Sequence, residues 1–401
     1  MKRVLTIETM GGRGEGVAEG PVYVPFALPG ETVEAEIAGG RAAAMVIITA
    51  SPERIAPVCR HFGACGGCQV QHWDLAAYRA WKRQLVVTAL RHRGIAADVL
   101  PLIDGHGQGR RRIVLHVRRR SGVVTAGFMA QRSHDLIDIV ECPVLDPALE
   151  CAAAIARDVG AAAGDCDCAF TVTDFGLDLA IKAERALQPS LMRALAPVAR
   201  DRDLVRLTLN GETVFARGPA QIAIGTAMVS LPAVSFLQAT AAGEAVLAGF
   251  VLEHLRGARL VADLFCGAGP FALRLAERAR VYGADSDKPS IAALAAAARA
   301  TPGLKPVEAV QRDLFREPLT ATELARFDAV VFDPPRAGAE AQMRQIAKSK
   351  LGLVVAVSCD PASFARDVGI LLGGGYKLKS LTAVDQFKWT SHVEIVAAFG
   401  R

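Results

Sequence analysis

From about residue 236 to its end the chain repeats one pattern: an apolar strand, a turn marked by glycine or an acid, then an alanine-rich helix. The strand candidates are R-L-V-A-D-L-F (259–265), R-V-Y-G-A-D (280–285), P-V-E-A-V-Q-R-D (306–313), F-D-A-V-V-F-D (327–333) and G-L-V-V-A-V-S-C (352–359). Strands separated by helices pair in parallel, because a parallel crossover needs a dozen or more residues. The run from Ile291 to Ala300 reads as one such crossover helix. The pattern predicts a Rossmann-like, doubly wound α/β sheet with helices on both faces and excludes a bundle or a sandwich.

In D-L-F-C-G-A-G-P-F, from Asp263 to Phe271, glycines follow a buried strand and open a helix. Glycine suits a sharp turn that a ligand approaches closely. Alone this turn fits a dinucleotide equally well. Three further acids narrow it: Asp285, Asp313 and Asp333 close successive strands, at the ends where open α/β sheets bind ligands. Singly each would read as a turn or cap residue. Together, with D-x-F-x-G-x-G in place of G-x-G-x-x-G, they favour S-adenosylmethionine over a nicotinamide cofactor.

Two cysteine signals remain. Cys59, Cys65 and Cys68 lie in C-R-H-F-G-A-C-G-G-C, a spacing suited to metal ligation. Four thiolates would suit tetrahedral zinc as well as iron–sulfur. Cys142, in V-E-C-P-V, and the close pair Cys166 and Cys168 compete for the fourth place. Cys359 ends an apolar strand in V-A-V-S-C-D-P, where a thiolate could act as a nucleophile; a lone cysteine is more often a small buried hydrophobe.

Upstream, short strands broken by Leu28-Pro29-Gly30 and Gly39-Gly40 suggest a small closed β-barrel, and W-D-L-A-A-Y-R-A-W-K-R-Q-L-V-V-T-A-L-R-H-R-G suggests one helix. We divide the chain at 1–54 (barrel), 55–235 (a central α+β domain carrying the cysteine cluster) and 236–401 (the doubly wound domain). Arg110–Arg112 and Arg118–Arg120 flank the strand I-V-L-H-V; on charge alone they read as solvated turns, a phosphate-binding edge needing other support. Half the residues are apolar (51%) and 22% are charged, which excludes a disordered chain. No apolar run reaches the ~20 residues of a membrane span, and the start lacks a secretory signal. The chain reads as cytoplasmic, and nine cysteines in that compartment point to metal or catalysis rather than disulfides.

The C-x5-C-G-x-C cluster, F-L-Q-A-T (236–240), D-L-F-C-G-A-G-P-F, D-P-P-R-A-G, S-C-D-P-A-S-F-A-R-D and D-Q-F-K-W-T-S-H-V-E occur in this order. Over nearly its full length the chain resembles the RNA uracil-5 methyltransferase family, most closely its 23S ribosomal RNA branch. The resemblance implies a TRAM-like RNA-binding barrel at the N-terminus. It implies an S-adenosylmethionine pocket lined by Gln238, Phe265, Gly267, Asp285, Asp313 and Asp333. It further implies Cys359 as the nucleophile, Glu394 as the base, and a [4Fe–4S] cluster on Cys59, Cys65, Cys68 and Cys142, with zinc as the lesser alternative.

The chemistry such an enzyme needs is clear. Carbon 5 of uracil is a poor nucleophile, and a thiolate adding at carbon 6 turns the ring into an enolate that can accept a methyl group. A base must then remove the carbon 5 proton. The uridine must leave its stack, so a loop or flipped base is expected. A Glu beside V-E-I-V-A-A-F would, on its own, be placed in solvent. Pro270, Thr240 and the pair Lys388 and Trp389 depart from the family's usual residues. The expected partner is RNA, 23S rRNA before tRNA, acted on by a monomer with no membrane association. Rival readings are a tRNA uracil-5 methyltransferase, a non-catalytic RNA-binding assembly factor, and an N-methyltransferase, whose D-P-P-Y motif differs from D-P-P-R in its aromatic residue.

Overall fold

The computed structural model describes residues 2–401. Five strands come first: β1 (Lys2–Met10), β2 (Glu15–Ala18), β3 (Val22–Pro25), β4 (Thr32–Ala38) and β5 (Arg41–Thr49). They close into a barrel in the order β1-β2-β3-β5-β4. Alternate residues explain it: Leu5, Ile7, Val22, Val24, Val33 and Ala35 point inward and are buried. The helix α1 (Leu75–Arg91) follows, capped by Asp74, whose carboxylate accepts from the amides of Ala76 and Ala77.

A short strand, β6 (Ile103–Asp104), leads into the middle of the chain. There β7 (Arg112–Arg120), β8 (Val123–Met129) and β9 (Leu136–Asp138) precede α2 (Ala152–Ala163). Next come β10 (Cys166–Thr173), β11 (Gly176–Lys182), α3 (Pro189–Asp201), β12 (Arg206–Leu209) and β13 (Glu212–Ala216). These strands form a seven-stranded sheet in the order β13-β12-β11-β10-β7-β8-β9. Its core joins Leu115, Val117, Phe170 and Leu179 to Ile155 and Val159 of α2 and Leu195 of α3. A hairpin, β14 (Gln221–Ile224) with β15 (Ala227–Ser230), ends the region.

The remaining elements alternate as the sequence pattern predicts. They are α4 (Ala241–His254), β16 (Leu260–Leu264), α5 (Ala272–Ala276), β17 (Arg280–Asp285), α6 (Lys288–Ala300) and β18 (Val307–Gln311). After them come α7 (Ala321–Leu324), β19 (Ala329–Phe332), α8 (Glu340–Lys348), β20 (Leu353–Ser358), α9 (Pro361–Gly373), β21 (Lys377–Asp385) and β22 (Glu394–Gly400). The sheet order is β18-β17-β16-β19-β20-β22-β21-β6. Strands β16 to β20 are mutually parallel, and β22 runs antiparallel to β20 and β21.

Both faces of this sheet are buried, which is why its strands are continuously apolar. Leu264, Val330, Val354 and Ile395 pack on one side with Val86 and Leu90 of α1, Met343 of α8 and Phe364 of α9. Val261, Val331, Val355 and Val396 pack on the other with Leu247 of α4 and Leu294 of α6. Strand β6 adds to the edge of the sheet beside β21. The strand order reverses between β16 and β19, and at that point an open α/β sheet forms a crevice past its carboxyl ends.

Candidate active site

The glycine turn lies at this crevice. Past β16, Phe265 takes a positive φ of 60°, and Gly267 and Gly269 take 51° and 94°. A Cβ on Gly269 would come within 2.5 Å of Leu294, whereas one on Gly267 would meet nothing within 4 Å. Gly269 is therefore required by packing, and Gly267 leaves room for a ligand. The Gly267 amide donates to Asp285 Oδ2 at 2.9 Å, which fixes that carboxylate at the end of β17. Asp313 turns the chain after β18 by accepting from the Phe315 amide at 3.0 Å, and the Phe315 ring packs 5.3 Å from that of Phe265. Asp263, within β16, is fully buried and neither oxygen has a hydrogen-bond partner among the described residues. Burial and the nearby Asp333 hold its carboxyl well above the usual range. An orphaned buried carboxyl beside an open glycine turn fits a ligand that brings positive charge, as S-adenosylmethionine does.

The reactive groups gather at the ends of β19, β20 and β22. Cys359 follows β20 directly and precedes α9, whose N-cap Asp360 accepts from the amides of Ala362 and Ser363. Glu394 opens β22 and is 2% exposed, so the placement in solvent expected for it alone is overturned. The antiparallel return of β22 between β20 and β21 carries it inward. Gln386 Nε2 donates to Glu394 Oε2 and to Gln238 Oε1, each at 2.7 Å. Gln238 Nε2 donates in turn to Asp333 Oδ2 at 2.7 Å. Burial, then Asp333, pushes Glu394 up to about 8, and burial pushes Asp333 up to about 7. Burial, then Glu394 and Asp333, pushes the Cys359 thiol up to about 12, with Arg336 opposing. The three groups thus stand at adjoining strand ends, close enough that both carboxyls act on the thiol. Sequence reasoning named four members of this set and missed Gln386, which joins Glu394, eight residues on, to Gln238, 148 residues back.

A second set of buried groups holds the loop before β22. Tyr78 donates to Asp385 Oδ2 at 2.6 Å and accepts from the Trp389 amide at 2.8 Å. Lys82, fully buried, donates to Asp385 Oδ1 and to the Phe387 carbonyl. His392 lies 3.2 Å from an Arg336 nitrogen, and burial together with Arg336 holds its ring down at about 4.

The first arginine run is no solvated turn. The backbone amide of Arg111 donates to the Ala239 carbonyl, and its buried side chain donates to the Gln238 carbonyl and pairs with Glu244. Arg112 reaches the Leu237 carbonyl at 3.4 Å and lies over the exposed ring of Phe236. The run thus pins the segment that carries Gln238. The second run pairs with Asp165 and Asp167 near the surface.

Cys142 is pushed up to about 12, first by burial, with the backbone of Val144 opposing and the nearby Cys68, Cys59 and Cys65 thiols adding to it. Cys68 is pushed up to about 11, first by burial, with a hydrogen bond from Gln71 opposing. Gln71 also accepts from the Cys59 amide at 3.1 Å, and the Gly67 amide donates to Cys65 Sγ at 3.4 Å. Cys166 and Cys168 lie elsewhere, in the core of the seven-stranded sheet, with sulfurs 3.9 Å apart. Among the described residues no three His, Cys, Asp or Glu side chains converge tightly enough to hold a metal ion as they stand. No described helix is long and apolar enough to cross a membrane.

The family described as tRNA (uracil-5-)-methyltransferase matches residues 221–399. A Brucella suis protein named as an uncharacterised RNA methyltransferase is 47% identical, the alignment covering 98% of this chain and 96% of that one. The 23S rRNA (uracil(1939)-C(5))-methyltransferase RlmD of Chromohalobacter salexigens is 34% identical over 97% of this chain and 87% of its own. A crystal structure of Pyrococcus abyssi tRNA (uracil-54, C5)-methyltransferase with S-adenosyl-L-homocysteine superposes with a TM-score of 0.77. It covers 99% of each chain at 23% identity and so speaks for the fold alone. The doubly wound sheet is accordingly that of an S-adenosylmethionine-dependent methyltransferase with a small barrel ahead of it. With its fold, its crevice and these full-length relatives in agreement, the chain belongs to the S-adenosylmethionine-dependent RNA uracil-5 methyltransferase family.

Proposed function

We propose that this protein methylates carbon 5 of one uridine in structured RNA, 23S rRNA in first place, through a covalent bond between Cys359 and carbon 6 of the base. The observation that carries the reading is that Cys359, Glu394 and Asp333 stand at the neighbouring ends of β20, β22 and β19, with Glu394 tied through Gln386 and Gln238 to Asp333. Gln238, Phe265, Gly267, Asp285, Asp313 and Asp333 would bind the methyl donor. S-adenosylmethionine supplies a methyl group on a positively charged sulfonium, and that charge offsets the carboxylates that hold the Cys359 thiol up.

The Cys359 thiolate adds to carbon 6, and the ring's electrons shift to make carbon 5 the nucleophile that accepts the methyl group. Glu394 then takes the carbon 5 proton. The C–H electron pair re-forms the carbon 5–carbon 6 double bond and expels the thiolate. The exposed Phe236, two residues before Gln238, offers a face on which an unstacked base could lie. The choice of 23S rRNA leans on the full-length likeness to the Chromohalobacter enzyme. We assign RNA gripping to 1–54 and 55–235 and methyl transfer to 236–401, in a cytoplasmic monomer.

Cys59, Cys65, Cys68 and Cys142 would hold a [4Fe–4S] cluster, a structural centre that fixes the surrounding loops. The support is in the chemistry of the donors: these are four thiols, and the Gly67 amide and Gln71 side chain donate to sulfur, as thiolates favour, while no three of the described side chains converge on a metal site as they stand. Iron, sulfide and zinc analysis of protein purified without oxygen distinguishes the cluster from a zinc site.

The decisive experiment mixes Glu394→Gln protein with S-adenosylmethionine and unmodified total RNA. We expect a protein–RNA adduct on a denaturing gel that disappears when Cys359→Ala is added. Sequencing the trapped RNA then names the uridine and separates rRNA from tRNA. The absence of any adduct from protein shown to bind S-adenosylmethionine would sink the reading.

A further inference from the structure

We infer that Gln386 is a positioning residue of the base, its buried amide orienting the Glu394 carboxyl and tying it through Gln238 to Asp333 at the cofactor crevice. This rests on the methyl-transfer reading above and assigns a residue to its last step. Gln386 is fully buried, and both protons on its Nε2 are in use, one on Glu394 and one on Gln238. The four side chains Asp333, Gln238, Gln386 and Glu394 therefore form an unbroken line from the donor site to the base.

The other side of the amide is unusual. Gln386 Oε1 is buried without any hydrogen-bond partner among the described residues. A buried polar atom left unpaired is costly, so an apolar side chain would serve packing better here. The site is also built around this side chain. A Cβ on Gly243, in the first turn of α4, would come within 2.8 Å of both Gln386 Cβ and Oε1. The same turn is fixed by Thr240, which accepts from the Gly243 amide at 2.9 Å and donates to the Gly105 carbonyl.

The amide suits both states of its neighbour. Its N–H donates to the Glu394 carboxylate that must receive the carbon 5 proton. A half-turn of the amide would let the free Oε1 accept from the protonated carboxyl, at the cost of the bond to Gln238 while the proton is held there. Gln386 itself takes no proton; the proton stays on Glu394 and the electron pair returns to the ring. The charged groups facing Glu394 are Asp333 past β19, Cys359 past β20 and Lys82 of α1, the last held by Asp385 of β21.

The test compares Gln386→Met, of similar length but without the amide, with Gln386→Asn and the native enzyme. Because methyl transfer precedes proton removal, loss of positioning slows release of the adduct and not its formation. We expect Gln386→Met to lower kcat about tenfold and to accumulate the Cys359 adduct, while KM for S-adenosylmethionine stays within about twofold. The acidic limb of its pH–rate profile, where Glu394 must lose its proton to act as base, moves to higher pH, since a donor to the carboxylate has been removed. Partial return of kcat in Gln386→Asn supports the role. Native kcat and adduct level in Gln386→Met would overturn it, as would lost activity with no adduct, which marks a packing defect. If Glu394→Gln traps no adduct on any RNA, the methyl-transfer reading fails and this inference falls with it. If Glu394→Gln traps one and Gln386→Met behaves as native, only the inference falls.

Discussion

Glu394 is a carboxyl that the fold prefers to keep protonated. Its value of about 8 lies above the ordinary 4.5, and Asp333, at about 7, lies above 3.8. For an acid raised in this direction, stability is greatest below the unfolded value and is lost as the pH rises through the folded one. Glu394→Gln removes the ionisation, so its stability relative to native protein should grow between pH 5 and pH 9, by about 4 kcal/mol. Thermal denaturation at the two pH values measures this, and an equal shift at both would refute it. The same charge bears on Cys359. At pH 9, with native Glu394 ionised, Glu394→Gln should alkylate at Cys359 about tenfold faster with iodoacetamide, one pKa unit's worth of relief. Mass spectrometry of the modified peptide reads the rate, and an unchanged rate would separate the two groups electrostatically.

At the scale of elements, α1 and the end of β21 hold the loop that leads to Glu394. Tyr78 and Lys82 are one helical turn apart, and both meet Asp385. Asp385→Ala would strand a buried lysine, at a cost of about 3–5 kcal/mol. Lys82→Met should cost less, because the Tyr78 hydroxyl still satisfies the carboxylate. Denaturant unfolding of the two variants tests the order, and the reverse order would show that the lysine is not charged there. The sequence made the doubly wound sheet legible because β16, β19, β20 and β22 are buried on both faces and so read as apolar runs. The glycine turn and the strand-end acids were legible for the same reason: they sit where the runs stop. Arg111 was not, since Glu244 lies 133 residues downstream and a run of three arginines looks like a surface turn. Glu394 was legible only through the family motif, as its burial depends on β22 inserting between β20 and β21. Lys82 left no local signal because Asp385 lies 303 residues on; Gln386 and Gln71 have partners nearby in the chain, but a lone glutamine carries no spacing that marks its role.

Across the whole molecule, charge is unevenly spread. The chain carries a net +5, yet residues 2–49 hold four basic and six acidic side chains, and Lys2 is paired with Glu34 at 3.2 Å. The barrel thus carries no cationic excess, so its grip on RNA would not come from net charge. Combining Lys2→Ala with Arg3→Ala should change the slope of log affinity against log salt for RNA by less than about one, where two lost phosphate contacts would change it by roughly two. The barrel, the cysteine loop and the catalytic sheet are also joined end to end. The amides of Gln69 and Val70 donate to the Trp389 carbonyl, and β6 lies beside β21. Helix α1 packs in the same core as β19 to β22. This joint has a consequence for synthesis. A nascent chain leaving the ribosome exposes α1, with Tyr78, Trp81, Val86 and Leu90 along it, long before β21 and β22 exist to cover them. At roughly 5–20 residues per second that wait lasts some tens of seconds, during which a greasy helix is open to chaperones or to misassembly. Residues made later thus shelter a helix made much earlier, and a polypeptide released before β21 and β22 would leave that helix uncovered.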